Sequence, residues 1–89
     1  MKKINIRKKI AHTLELPQEY LDDVSKISIL GFKEVTIENY KSLIEYEQDV
    51  IRINTRDKLI KIEGGGLFIN NITDEEITVM GDIQKVLFD

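Results

Sequence analysis

Four short stretches of this 89-residue chain carry residue types that do chemistry elsewhere. The first is "IEGGGLFINN", residues 62–71, with three consecutive glycines. A phosphate-cradling loop needs glycines that open a helix, so that helix N-terminal N–H groups face the anion. Here the residues after the triplet alternate as a strand does, and no Lys-Ser or Lys-Thr pair follows. The triplet therefore reads as structural turn chemistry: Gly64 and Gly65 supply the positive φ of a tight turn, and Gly66 starts the next strand or sits in a bulge. His12 is the sole histidine. Without cysteine or a second imidazole it lacks the company a metal ligand needs, and it reads as a helix-surface residue near Glu15. The acidic runs Asp22–Asp23 and Asp74–Glu75–Glu76 lack the alternating oxygen-ligand spacing of a calcium loop, and they read as solvated turn charge.

The fourth stretch is the basic head. Lys2, Lys3, Arg7, Lys8 and Lys9 precede every acidic residue, so residues 1–12 carry +5 while the remainder carries −8. A cationic amphipathic segment suits contact with an anionic membrane surface or an acidic partner. The acidic body and the lack of stacking aromatics in the head argue against nucleic acid. No nucleophile–base pair and no metal set can be assembled from the residue order, so no enzyme, metal or cofactor is expected. Cysteine is absent, which removes disulfides and thiolate chemistry. No apolar run approaches the roughly 18 residues of a membrane span, and the first residues lack the apolar core of a secretory signal. The expected location is cytoplasmic.

The elements that must position these residues follow from periodicity. Ile6, Ile10 and Leu14 recur every four residues, which predicts an α-helix over 1–17 that stops at Pro17. From residue 25 to 89 the pattern changes. Apolar-rich blocks begin at 27, 35, 43, 51, 59 and 67, always eight apart, then at 77 and 85. Within them Ile27/Ile29, Val35/Ile37, Ile51/Ile53, Ile60/Ile62, Leu67/Ile69 and Ile77/Val79 alternate with mostly polar residues, as in strands with one buried face. The joints hold turn residues. The expected fold is one mainly β domain: an antiparallel meander of seven or eight short strands, curled or partly closed into a barrel, with an N-terminal helix. A short parallel solenoid has a similar period and is the alternative. An unclosed sheet leaves strand edges through which copies can associate into a homo-oligomer.

The order of these elements resembles the YabP/YqfC family of bacterial sporulation proteins, its YqfC branch in particular. The resemblance lies in Leu16–Pro17, in Ile27, Ile29 and Gly31, in Ile37, Glu38 and Asn39, in the glycine-centred "LIKIEGGGLFINNI", and in the closing Gly81, Ile83, Val86 and Phe88. Tyr40 stands where the family often has histidine, so no role is carried to that position. The resemblance implies a non-catalytic protein acting by protein–protein contacts in spore coat or cortex assembly. It further implies a place in the mother cell, at the membrane around the forespore, and a YqfD-type membrane sporulation protein as partner. A small-ligand-binding β module, using the interior of a curled sheet, is the alternative function.

Overall fold

The computed structural model describes residues 24–89, and the helix expected over 1–17 lies outside them. Six strands follow one another: β1 (Lys26–Leu30), β2 (Glu34–Glu38), β3 (Ser42–Tyr46), β4 (Val50–Asn54), β5 (Leu59–Ile72) and β6 (Glu76–Phe88). They form one sheet in the order β1-β2-β6-β5-β4-β3, with every neighbouring pair antiparallel. The parallel solenoid is thereby excluded. A simple meander is also corrected, because β2 pairs with β6 rather than with β3. The sheet does not close, and β1 and β3 are its ends.

The expected seven or eight strands become six because two block pairs fuse. Blocks 59 and 67 are one 14-residue strand, and blocks 77 and 85 are one 13-residue strand. Each long strand serves different neighbours along its length. The first half of β6 pairs with β2, with Val35 opposite Val79 and Ile37 opposite Ile77. The first half of β5 pairs with β4, with Ile51 opposite Ile62 and Ile53 opposite Ile60. Because β5 and β6 run antiparallel, these two partners bind at opposite ends of the long hairpin.

Between those ends the hairpin bends. The ladder shifts register at Glu63/Gly64 and again between Gly65 and Phe68. The inward set consequently changes parity, from Ile60 and Ile62 to Leu67. Bulges of this kind bend a strand and raise its twist. Val35, Ile37, Ile51, Ile53, Ile60, Ile62, Leu67, Ile77 and Val79 then form a single buried cluster. Residues of β2 and β4, separated by two strands in the sheet, share that cluster, so the halves of the bent sheet enclose one core.

Candidate interaction surface

The glycine triplet is not the hairpin turn expected of it. It lies inside β5, where the chain bends without reversing, and the reversal comes later, over residues 73–75. Positive φ belongs to Gly66 (59°) and not to Gly64 or Gly65, in keeping with the bulge expected at Gly66. Gly64 has a different reason to be glycine: a Cβ there would collide with the Asp82 backbone carbonyl. Across the bend Gly81 adopts φ 139°, and an added Cβ would lie 2.8 Å from the Gly66 carbonyl oxygen and 2.9 Å from Leu67 Cα. Only glycine permits that approach of two backbones. Sequence reasoning missed the role of Gly81; the signal was its place, two blocks after the triplet, in the middle of the other fused pair.

Two hairpin turns clasp this bend from opposite sides. Gly64 N–H donates to Asp49 O (3.1 Å) and Leu67 N–H to Gln48 O (2.8 Å), which ties the β3–β4 turn to β5. Gly81 N–H donates to Lys33 O (3.0 Å) and Ile83 N–H to Phe32 O (2.9 Å), which ties the β1–β2 turn to β6. Within the triplet, the Gly64 N–H is thus taken by one of the chain's own carbonyls.

The other predicted positions divide by place. Lys2, Lys3, Arg7, Lys8, Lys9, His12, Asp22 and Asp23 lie outside the described residues. Asp74 and Glu75 occupy the β5–β6 turn, where Thr73 Oγ1 accepts from the N–H groups of Glu75 (3.2 Å) and Glu76 (3.0 Å). A side-chain oxygen holding two successive amides is ordinary turn chemistry. Among the described residues no group of three or more His, Cys, Asp or Glu is arranged to hold a metal ion. Tyr40 packs against the core, and its hydroxyl donates to Thr73 O at 2.6 Å, pinning the β2–β3 link to the same turn.

The distinctive surface is apolar and lies at strand edges. Ile29, Leu30 and Phe32 are 56%, 70% and 79% exposed, in nearly continuous sequence along β1 and its turn. Ile29 and Phe32 stand at one groove, whereas Leu30, next to Ile29 in the strand, points to the opposite face. That groove, of about 260 Å³, runs between this turn and the second half of β6, lined by Ile29, Gly31, Phe32, Ile83 and Val86. A second hollow, of about 580 Å³, is polar and bordered by Lys26, Glu38, Asn39, Glu75 and Glu76. Lys26 Nζ stands 3.8 Å from Glu38 there, an exposed pair of little energetic weight.

The two sheet ends differ. β3 carries a bulge between Leu43 and Glu45, and Glu45 faces Arg52 across the strand with Oε1 3.2 Å from Nε. The alignment is poor for a hydrogen bond, so the contact is an ion pair. A bulge and charge together blunt an edge against pairing. Near it Tyr46 Oη accepts from Ile69 N–H at 3.0 Å, covering an amide of the second half of β5. By contrast β1 pairs with β2 in unbroken register over five residues, with no bulge.

Comparison with known proteins accords with this architecture. The model of the YabP family matches residues 22–89, which span all six strands. The chain belongs to the YabP family. It is also similar to protein YqfC of Bacillus subtilis (strain 168), at 27% identity over 79 residues, covering 89% of this chain and 85% of that protein. The YabP/YqfC family is associated with sporulation. The family match includes both long strands and their glycines, so the bent hairpin lies wholly within it.

Proposed function

We propose that this protein is a non-catalytic component of spore envelope assembly, working in the mother cell through protein–protein contacts. The observation that carries the reading is the family match over residues 22–89. The exposed apolar residues Ile29 and Phe32, at a sheet edge that carries no bulge, support contact as the mode of action. The partner in this reading is a YqfD-type membrane sporulation protein, and the basic residues Lys2, Lys3, Arg7, Lys8 and Lys9 hold the chain near the forespore-surrounding membrane. The small-ligand alternative loses its main support, since the interior among the described residues is filled by apolar side chains of essentially zero exposure.

The test is affinity capture of the tagged protein from cross-linked sporulating cells. A membrane sporulation protein is expected in the captured fraction, and its absence across the time course of engulfment would count against the reading. Liposome flotation with anionic vesicles tests the head separately. The intact chain is expected to float and a version lacking residues 2–12 to stay in solution; equal behaviour of the two ends the membrane part of the reading.

A further inference from the structure

The contact reading above leaves open which edge is used and by what, and the backbone of β1 narrows both. Hydrogen-bonding direction alternates along an antiparallel strand, because each residue turns its N–H and C=O to the same side and its neighbours turn theirs to the other. Asn39 N–H donates to Glu75 O (2.6 Å), and Gly81 N–H donates to Lys33 O (3.0 Å), at the two ends of the β2–β6 ladder. Odd-numbered residues of β2 therefore face β6, and Glu34, Thr36 and Glu38 face β1. Their partners across the first hairpin are Leu30, Ser28 and Lys26. That leaves the N–H and C=O groups of Ile27 and Ile29 directed away from the sheet.

We propose that two copies of this chain pair through β1 across a two-fold axis at Ser28, joining their sheets edge to edge. The short sequence "ISI" is self-complementary in that arrangement. Ile27 lies opposite Ile29 of the second copy and Ile29 opposite its Ile27, so the outward groups of both residues meet in two hydrogen-bonded pairs. Ser28 meets Ser28 in the non-hydrogen-bonded position between them, as the alternation requires. The same register sets Lys26 beside Leu30 of the second copy, which avoids like charges. It also brings Phe32, 79% exposed, toward Val24 of the second copy, 37% exposed. Ile29, 56% exposed although it has the parity of the buried residues, gains the cover that its position in the alternation calls for. Ile27 of the second copy then stands at the mouth of the groove formed by Ile83 and Val86. The opposite end of the sheet is a poor competitor, because β3 is bulged and carries the Glu45–Arg52 ion pair.

Sedimentation equilibrium of the intact chain over a wide concentration range tests this. The expected mass rises toward twice the 10.3 kDa of one chain. Ile29→Pro removes an amide that points only outward, where proline is tolerated on an edge. It should keep the circular dichroism of the wild type and weaken dimerisation at least tenfold. Should that variant lose its fold, Ile29→Lys serves instead, with every backbone group kept, and the same loss is expected. Ile44→Lys on β3 should leave the dimer unchanged. A monomer at every concentration overturns the proposal, as does a dimer indifferent to both Ile29 variants or broken by Ile44→Lys. A monomeric chain that still captures a membrane sporulation protein refutes the β1 pairing alone; a β1 dimer that captures none refutes the contact with that partner alone.

Discussion

Of the sequence neighbours Gly64, Gly65 and Gly66, two have different reasons to lack a side chain and Gly65 has none. Gly66 sits in the left-handed region, which costs an L-residue about 1–2 kcal/mol, so Gly66→Ala should lower stability by about that amount and Gly66→Asn by less. Gly65 has no positive φ and open space where a Cβ would go, so Gly65→Ala should change stability by under about 0.5 kcal/mol. Gly81 combines positive φ with backbone contacts under 3 Å. Gly81→Ala should therefore cost more than either, about 2–4 kcal/mol. Urea unfolding of the three alanine variants checks the ranking; equal losses at 65 and 81 would contradict the geometry. None of this difference is visible in the string "GGG", because it depends on what lies across the strand. The identity of each buried residue is another matter. Val35, Ile37, Ile51, Ile53, Ile62, Ile77 and Val79 stand at the alternating positions and are fully enclosed. Ile37→Ala should cost about 2–5 kcal/mol by leaving a cavity between the sheet halves.

At the level of elements, the eight-residue spacing located every strand but misjudged two joints. "GFKE", "EQD" and "TRDK" reverse the chain, and each brings local turn bonds. At the last, Thr55 Oγ1 donates to Lys58 O (2.6 Å) and accepts from Lys58 N–H (3.1 Å). Thr55→Val removes both bonds at a position only 7% exposed and should lower stability by about 1–2 kcal/mol in thermal unfolding. "EGGG" and "GDIQ" have the same spacing but bend the strand instead. Whether a glycine joint reverses or bends is set by pairing with strands far away in sequence, such as β2 with β6. Local spacing carries no such information, and so it points to a meander where the chain instead pairs β2 with β6. The contact surface was legible only in part. Strand edges follow from an unclosed sheet, but that β1 rather than β3 is the regular edge depends on the Leu43/Glu45 bulge.

For the whole molecule the decisive feature is that β5 and β6 form the spine on which both outer hairpins rest. β1–β2 and β3–β4 contact each other little in the sheet, and each is anchored through one strand of that spine. A lone two-stranded hairpin is marginal in water. A chain cut after residue 75 lacks β6 and leaves β2 without a partner on its inner side, so it should show no cooperative unfolding transition by circular dichroism; a sigmoidal melt would refute the dependence. The consequence reaches into synthesis. Val35 and Ile37 must wait for Val79 and Ile77, some forty residues later, before they can leave water. Long-range pairing of this kind slows folding and exposes apolar edges meanwhile. As the polypeptide leaves the ribosome, its first two hairpins can only flicker, and order arrives late and all at once, when the final strand emerges and locks both in place.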